Sequence, residues 1–385
     1  MPVAMNLQQP PLSLYIHLPW CESKCPYCDF NSHPIKTVIK EEEYLQALLL
    51  DLAQDSEHLE SRSIISIFIG GGTPSLFSAS SVARLISGVR GMIAVDNDAE
   101  ITLEANPGSS DSGRFVGYRE AGVNRLSLGV QTFSDDKLLV LGRAHNSVQA
   151  RLAIEAAIEA GFTNVNIDLM FGLPSQNAKE AKNDLVTALE YQPQHLSLYQ
   201  LTIEPNTYFA VHKPTLPDEE TDSQIRETIY KITCAAGYNR YEISAFAKPD
   251  AYCRHNRNIW QFGDYVGIGA GAHGKVTSKN SVTRYMKEKQ PDKYIEKVSV
   301  GSASIYSNIL STKDLCFEFM LNALRLSEGF LISDFEKRTG VRFLVISQQI
   351  HEAVTKGLVQ NENGVVKTTE LGRLFLDDLV ELFLP

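Results

Sequence analysis

Three cysteines near the start of the chain have the residue type and the spacing of a metal site. Cys21, Cys25 and Cys28 form a C-x3-C-x2-C pattern, and the other three cysteines of the sequence are scattered. Iron and zinc both accept thiolate ligands, and iron–sulfur clusters are held by cysteine. Three cysteines on a four-iron cluster leave one iron open for a chelating ligand. Zinc is the alternative, with His17 or His33 as the fourth ligand that a zinc site normally needs.

A glycine-rich stretch offers backbone contacts to a ligand. Gly70, Gly71 and Gly72 stand directly before Thr73, some forty residues after the cysteine pattern. Glycine lets a backbone amide approach a bound molecule closely because no Cβ intervenes. A tight turn without ligand contact is the alternative for a glycine triplet taken alone.

Further polar residues lie in or directly after short apolar segments. They are Tyr15, Glu104, Gln131 and Asp168. The carboxylates can accept hydrogen bonds from hydroxyl or ammonium groups, and the glutamine amide can both donate and accept. Each of these residues taken singly has a structural alternative, as a polar group at the end of a strand.

These residues belong to a regular alternation of strand-like and helix-like segments. Near-continuous apolar strands between amphipathic helices are typical of parallel βαβ units, whose strand ends share one binding edge. Six units are fewer than the eight of a TIM barrel, so we predict an α/β fold with a partial (β/α)6 barrel that is open on one side. The predicted strands are Leu12–Leu18, Ile64–Ile69, Glu100–Glu104, Arg125–Val130, Asn164–Met170 and Leu196–Leu201, and the predicted helices are Glu41–Glu60, Ser80–Gly91, Ser112–Ala121, Ser147–Ala160 and Ala178–Leu189.

The chain after residue 205 has a different pattern. We predict three parts: the barrel with its site over residues 1–205, an α/β extension with cleft-lining loops over 206–280, and a mainly helical domain over 281–385. In the middle part we expect a helix over Glu219–Ala236, a strand over Arg240–Phe246 and an irregular stretch over 251–275. Helices are expected to dominate from about residue 285, and the final order of helix, helix, hairpin and helix resembles a winged helix.

Composition and charge disfavour several classes of protein. The net charge is −10, whereas broad nucleic-acid binding needs a positive surface. A DNA-binding role for the winged helix is a further hypothesis, which the acidic last helix disfavours. The sequence contains no transmembrane-like apolar run and no secretory pattern at its N-terminus. Clustered cysteines indicate a metal site in a reducing compartment, so we predict a cytoplasmic protein with no nucleic-acid partner.

The cysteine pattern together with Gly70-Gly71-Gly72-Thr73-Pro74-Ser75 resembles the radical SAM superfamily. The resemblance implies a 4Fe-4S cluster on Cys21, Cys25 and Cys28, with S-adenosylmethionine (SAM) bound at the open iron. In that superfamily one electron from the cluster cleaves the sulfonium of SAM, and the protein supplies binding and orientation. The residues that the resemblance assigns to SAM are Tyr15, Tyr27, Gly71, Gly72, Thr73, Glu104, Gln131, Arg143 and Asp168.

Other segments narrow the resemblance to oxygen-independent coproporphyrinogen III oxidase-like proteins. Leu103–Pro107, Ser127–Phe133 and Asn166–Pro174 carry it, and it covers the chain from about residue 11 to the end. The true oxidase has a fourth cysteine two residues past the third, where this chain has Phe30, and a longer N-terminal segment. Both departures resemble the HemW-type haem chaperones, so the expected function is haem binding and delivery. Coproporphyrinogen III dehydrogenase, an enzyme of haem biosynthesis, is the alternative.

The segment His255–Trp260 resembles the H-N-x-x-Y-W motif of the chaperone group, with Ile259 in place of the tyrosine. A neutral imidazole is a good axial ligand for haem iron, and Trp260 can stack on a flat macrocycle. The alternative is that His255 and Trp260 only pack an interdomain loop. The expected partners are haem and a haem-accepting protein, including acceptors associated with a membrane.

Overall fold

Strands and helices alternate through the first half of the chain. The structure is a computed structural model that describes residues 7–36, 38–56, 59, 62–109, 112–301 and 303–385. The strands are β1 (Leu12–Leu18), β2 (Trp20–Cys21), β3 (His33–Pro34), β4 (Ile64–Gly71), β5 (Val95–Ala105), β6 (Arg125–Gln131), β7 (Val165–Phe171) and β8 (His195–Gln200). The helices are α1 (Glu41–Ser56), α2 (Ala79–Met92), α3 (Ser112–Glu120), α4 (Asp135–Val140), α5 (Ser147–Glu159) and α6 (Ala178–Glu190). Every strand and helix predicted here is found with its ends shifted by at most a few residues, while the predicted helix end at Glu60 lies outside the described residues.

The second half of the chain contains more strands than the sequence predicted. Its strands are β9 (Asn239–Arg240), β10 (Ala245–Ala247), β11 (Asp264–Ile268), β12 (His273–Thr277), β13 (Val282–Lys287), β14 (Ser304–Ile309), β15 (Phe330–Leu331), β16 (Val359–Glu362) and β17 (Val365–Thr368). Its helices are α7 (Tyr208–Val211), α8 (Glu219–Ala235), α9 (Arg254–Trp260), α10 (Pro291–Ser299), α11 (Thr312–Ala323), α12 (Ile332–Thr339), α13 (Ser347–Thr355), α14 (Glu370–Leu374) and α15 (Leu376–Glu381).

Two predictions for this half were wrong. The predicted strand Arg240–Phe246 is two short strands, β9 and β10, separated by a turn. The stretch 251–275, predicted to be irregular, contains α9 and β11. The region predicted to be mainly helical is so, although it also contains the short strands β13 and β14 near its start. Short strands of mixed polarity have weak local signals, because they are stabilised by pairing with distant strands. The division of the chain at residues 205 and 280 stays a prediction.

The sheet confirms the partial barrel. Strands β1-β4-β5-β6-β7-β8 are parallel neighbours in chain order, and β11 adds a seventh parallel strand beside β1. At the opposite end β8 pairs with the antiparallel strand β10 instead of closing onto β11. Strands β12, β13 and β14 continue the sheet as antiparallel neighbours beyond β11. Among the described residues, the barrel is therefore open on one side.

Local signals start and stop the helices that surround the barrel. Asn146 and Asn177 each form a capping box with the third residue of the helix that follows. Gly161 follows α5 with a φ of +83°, a left-handed conformation that glycine adopts without steric cost. Because these signals lie within a few residues of each helix end, the helix bounds could be predicted closely.

Two large apolar cores and two small apolar clusters lie in the described parts of the molecule. The larger core fills the space between the barrel strands and their helices. The second lies mainly within residues 310–383, where the ring of Phe319 contacts Phe262, Phe330 and Phe335. Helices α12 and α13 and the three strands β15-β17-β16 have the order of a winged helix. No helix in the described ranges has both the length and the apolarity that crossing a membrane requires.

A buried ion-pair network joins the outer strands to the barrel. Lys287 of β13 places its Nζ 2.6 Å from Asp51 and 2.9 Å from Asp55, both in α1. The hydroxyl of Tyr294 donates a 2.7 Å hydrogen bond to the second carboxylate oxygen of Asp51. The side chains of Lys287 and Asp51 are 1% and 0% exposed, so removing one charge leaves the other buried without its partner.

We predict that Lys287→Met lowers the free energy of unfolding by about 3–5 kcal/mol, because it strands the charges of Asp51 and Asp55. Urea denaturation followed by circular dichroism measures the change. Lys297→Met is the matched control, since Lys297 forms a partly exposed pair with Glu288 at 2.8 Å and its loss should cost about 0–1 kcal/mol. Equal losses of unfolding free energy in Lys287→Met and Lys297→Met would contradict the structural role of the buried network.

Candidate functional site

A cavity of about 510 Å³ lies inside the barrel and opens at the carboxyl ends of the strands. Its position is that of ligand sites in parallel α/β barrels. Three of the predicted site residues, Tyr15, His255 and Trp260, are not among the residues that line it. The predicted residues that do line it are Cys21, Cys25, Cys28, Tyr27, Gly71, Gly72, Thr73, Glu104, Gln131, Arg143 and Asp168.

The cysteine loop lies at the mouth of this cavity and has the chemistry of a cluster site. The short strands β2 and β3 pair in parallel at its two ends. Arg143 brings Nη1 within 3.7 Å of the Cys25 sulfur, and this positive charge favours a thiolate. Burial raises the pKa of the Cys21 and Cys28 thiols, so binding of a metal releases their protons. The three sulfurs therefore fit the ligand set of an iron–sulfur cluster.

The zinc alternative lacks a fourth ligand in this structure. The His17 ring is occupied on both sides, with Nδ1 2.9 Å from the Tyr15 hydroxyl and Nε2 2.9 Å from the Asn31 carbonyl oxygen. His33 places Nε2 3.2 Å from the carbonyl oxygen of Lys289. A zinc ion needs a fourth ligand beside the three sulfurs, and both candidate histidines are engaged by other partners.

The glycine stretch packs against the strand that leads into the cysteine loop. A Cβ on Gly72 would lie 2.3 Å from the carbonyl oxygen of Trp20, and a Cβ on Gly71 would lie 2.6 Å from the His17 ring. Gly71 also has a φ of +121°, a conformation that side chains rarely adopt. Gly72 donates to the Leu18 carbonyl oxygen at 2.8 Å. Gly71 and Gly72 are therefore needed for the end of β4 to pack closely against the chain that enters the cysteine loop. Both glycines also line the cavity.

Two half-buried carboxyl groups face the cavity from neighbouring regions of the sheet. Glu104 accepts a 3.1 Å hydrogen bond from the Gly71 amide, and burial with the nearby charge of Asp168 raises its pKa to about 7. Asp168 accepts from Asn166 Nδ2 at 2.7 Å and from Ser127 Oγ at 3.2 Å. Burial raises the pKa of Asp168 as well. A cationic ligand in this cavity would favour the ionised form of both carboxyls.

Gln131 is held in a left-handed conformation at the end of β6. Its φ is +68°, which is uncommon for a residue other than glycine, and the register of β6 against β7 shifts at this point. The next two residues are held by Asp184 of α6, which accepts from Thr132 Oγ1 at 2.7 Å and from the Phe133 amide at 2.8 Å. Backbone strain of this kind is concentrated at functional sites, where the surrounding structure maintains it.

Arg143 is positioned by the strand that precedes it. Its Nη2 donates a 2.8 Å hydrogen bond to the Gly129 carbonyl oxygen, which holds the guanidinium between β6 and the cysteine loop. Tyr27 lines the same side of the cavity, and burial raises the pKa of its hydroxyl. Tyr27 and Arg143, two predicted site residues that are far apart in the sequence, are thus brought together at the cavity.

The structure adds cavity residues that the sequence analysis missed. Arg125, Ser127, Gly129 and Gln131 alternate along β6 and all line the cavity. Residues two apart in a strand point to the same side of the sheet. Once Gln131 had been identified as a site residue, the same spacing could therefore have predicted the other three residues of β6. Other missed residues follow the same alternation on the next two strands: Asn166 and Met170 on β7, and Ser197 and Tyr199 on β8.

The two predicted haem contacts lie below the cavity instead of in its wall. His255 in α9 is 2% exposed and places Nδ1 3.2 Å from Ser66 Oγ, and burial lowers its pKa to about 3. The guanidinium of Arg325 lies 4.3 Å from the centre of the Trp260 ring. In this conformation the His255 imidazole is buried and a flat macrocycle cannot reach it. The role of His255 in binding haem stays a prediction.

The barrel, the cysteine loop and the cavity place the chain among radical SAM proteins. Residues 15–187 match the family model of the Radical SAM superfamily, and residues 310–375 match that of the HemN C-terminal domain. The fold is that of the solved coproporphyrinogen III oxidase (HemN) from Escherichia coli, with a TM-score of 0.83 at 24% identity, over 97% of this chain and 90% of that chain.

Curated relatives define the family within that superfamily. The chain is 46% identical to the "Heme chaperone HemW" of Haemophilus influenzae and 47% identical to that of Escherichia coli, in both cases over 97% of this chain and 98% of the relative. It is 34% identical to the protein of the same name from Bacillus subtilis over 97% and 99%. The chain belongs to the HemW family of radical SAM proteins. The superfamily's cofactors, a 4Fe-4S cluster and SAM, are therefore cofactors of this chain.

We predict that Gly72→Ala weakens SAM binding by about tenfold or more and lowers the free energy of unfolding by about 1–3 kcal/mol, because the added Cβ pushes the cysteine loop away. Equilibrium dialysis of anaerobically reconstituted protein and thermal unfolding measure the two effects. Gly91→Ala is the matched control, since nothing lies within 4 Å of a Cβ at this position in α2. It should leave SAM binding unchanged and stabilise the helix by about 0.5–1 kcal/mol. Unchanged SAM affinity in Gly72→Ala would contradict the proposed site.

We predict that the affinity for SAM rises as the pH rises through about 7, the pKa of Glu104 in the free protein. SAM carries a positive sulfonium, so it binds more tightly to the ionised carboxylate. The affinity should fall by up to about tenfold for each pH unit below 7 and level off above it. Equilibrium dialysis between pH 6 and 8 measures this, and Glu104→Gln should remove the dependence. The same slope in the variant would exclude Glu104 as its origin.

Proposed function

We propose that this protein binds haem and transfers it to acceptor proteins, with a 4Fe-4S cluster and SAM as its resident cofactors. The observation that carries the proposal is identity of 46–47% over nearly the full length to curated heme chaperones. Similarity of this extent covers both the barrel and the C-terminal domain, so it concerns the arrangement of the whole chain and not one motif.

Phe30 supports this function over the oxidase alternative. It occupies the place of the fourth cysteine that the oxidase resemblance calls for, and a phenyl ring can neither ligate a metal nor donate a hydrogen atom as a thiol does. Phe30 lines the mouth of the cavity and is 62% exposed. A large exposed apolar side chain at a cofactor site favours contact with an apolar ligand or partner over reaction with a small polar substrate.

We propose separate roles for the two sets of cavity residues. Cys21, Cys25 and Cys28 hold the cluster, which supplies single-electron chemistry when bound. The glycine stretch and Thr73 present backbone and hydroxyl groups to the amino-acid part of SAM, and Arg143 can pair with its carboxylate. The other residues of the proposed SAM site are Tyr15, Tyr27, Glu104, Gln131 and Asp168.

Tyr15 acts on this site indirectly in our proposal. Its hydroxyl lies 2.9 Å from Nδ1 of His17, and the His17 ring is the group that Gly71 packs against. Tyr15 therefore holds the base of the glycine stretch and does not need to touch the ligand.

The haem contacts at His255 and Trp260 require α9 to move. The carboxylate of Glu100 accepts hydrogen bonds from the amides of Arg254 at 3.0 Å and His255 at 3.1 Å, which ties the start of α9 to β5. Haem ligation by His255 would break these bonds and open the floor of the barrel.

We propose that the protein acts in the cytoplasm, and that its acceptors include haem proteins at a membrane.

Nucleic-acid binding is the less favoured use of the winged helix. Helix α13 occupies the place of a recognition helix, and its sequence SQQIHEAVT contains no lysine or arginine. Contacts to phosphates depend on such residues, and the net charge of −10 opposes approach to a polyanion.

We predict that the anaerobically reconstituted protein binds haem but does not decarboxylate coproporphyrinogen III when SAM and a reductant are supplied. A Soret titration measures haem binding, and chromatography of the porphyrin products measures decarboxylation. The HemN enzyme of Escherichia coli, treated in the same way, is the positive control. Decarboxylation at a rate comparable with that control would reject the chaperone function, and so would the absence of haem binding.

A further inference from the structure

Arg125 is a buried positive charge that faces the cavity without a partner. It begins β6 at the floor of the barrel and is 2% exposed, yet it lines the cavity. Among the described residues its guanidinium makes no hydrogen bond or ion pair, and its Nε is fully enclosed. An arginine in such a position retains the planar fork of donors that matches a carboxylate.

The carboxylates nearest to this floor are engaged elsewhere. Glu100 accepts from the amides that start α9 and from the Cys253 thiol at 3.4 Å. Asp168 accepts from Asn166 and Ser127 on its own and the neighbouring strand. Neither carboxylate reaches the guanidinium of Arg125, so the charge is balanced only at a distance.

A buried charge without a direct partner is costly to the folded protein, and proteins tolerate such groups where a ligand completes them. The cavity is open to solvent at its mouth, so an anion can reach the floor from outside. Asn256 of α9 also lines the cavity and adds an amide donor.

We propose that Arg125 binds a carboxylate of a ligand that enters the barrel from its mouth. The site takes one planar, singly charged acceptor in a fork geometry, with Asn256 beside it. Two ligands supply such a carboxylate. One is haem, through a propionate arm, and this assignment rests on the function proposed above. The other is a free small carboxylate, which is independent of that function. The site is separate from the cysteine loop, and Asp168, the cavity carboxyl group beside it, is engaged by Asn166 and Ser127.

The first experiment compares probes on the wild-type protein. Soret titrations measure the affinity for haem and for haem dimethyl ester, whose two propionates carry no charge. Thermal unfolding measures the effect of sodium propionate against sodium chloride at equal ionic strength. If haem is the source, haem binds about fivefold or more tightly than its ester. If a free carboxylate is the source, propionate raises Tm above the chloride value.

The second experiment repeats both measurements on variants. The ligand-free Tm of Arg125→Met is the reference against which each ligand effect on that variant is measured. Arg125→Met should lose the preference for haem over the ester and the effect of propionate. Arg125→Lys keeps the positive charge but lacks the planar pair of donors, so it should retain part of the preference for haem over the ester and part of the propionate effect on Tm. Arg84→Gln, at an exposed arginine paired with Glu42, is the matched control and should behave as the wild type.

The outcomes separate this site from the proposed function. If the wild type shows neither a preference for haem over its ester nor a propionate effect, the site is overturned, even where haem binds and is transferred. It is also overturned if Arg125→Met keeps both effects. If haem does not bind but propionate raises Tm in an Arg125-dependent way, the site stands and the chaperone function fails. If Arg125→Met does not fold, the ester comparison on the wild type decides.

Discussion

The close contact between the glycine stretch and the chain that enters the cysteine loop is the constraint on which the site depends. Gly72 leaves no room for a side chain against the Trp20 carbonyl group, and Gly71 packs on the His17 ring. The contact brings the end of β4 beside the end of β1, so the cysteine loop cannot move away from the glycine amides. A cluster on the loop and a ligand on the glycine stretch are thereby kept within reach of each other, which pre-organises the site.

The cavity has layers of different charge, from the loops at its mouth down to the strands at its floor. The cysteines and Arg143 lie at the mouth, the carboxyl groups of Glu104 and Asp168 lie below them, and Arg125 lies at the floor. Buried groups of opposite sign at separate depths can orient a ligand that carries both charges, because each end of the ligand is favoured at one level only. The alternation of side chains along β6 and β7 produces these levels directly.

Strand β5 links the upper site to the helix that carries the haem motif. Its Glu104 contacts the glycine stretch, while Glu100 on the same strand holds the start of α9. Helix α9 closes the floor with His255 buried beneath the cavity. A displacement of α9 would free Glu100 and change the charge around Arg125. The start of α9 and the glycine stretch are thus connected by hydrogen bonds to a single strand of the barrel.

Sequence alone determined the barrel strands β1 and β4 to β8, most of their helices and the cysteine loop, because apolar runs, capping residues and cysteine spacing are local signals. It also placed Glu104, Gln131 and Asp168 correctly at one edge, since parallel strands bring their carboxyl ends together. Only the tertiary structure decided that β11 pairs with β1, that α9 closes the floor and that the Tyr15 hydroxyl contacts His17. These features depend on contacts between residues far apart in the chain, which leave no periodic pattern for local reasoning to detect.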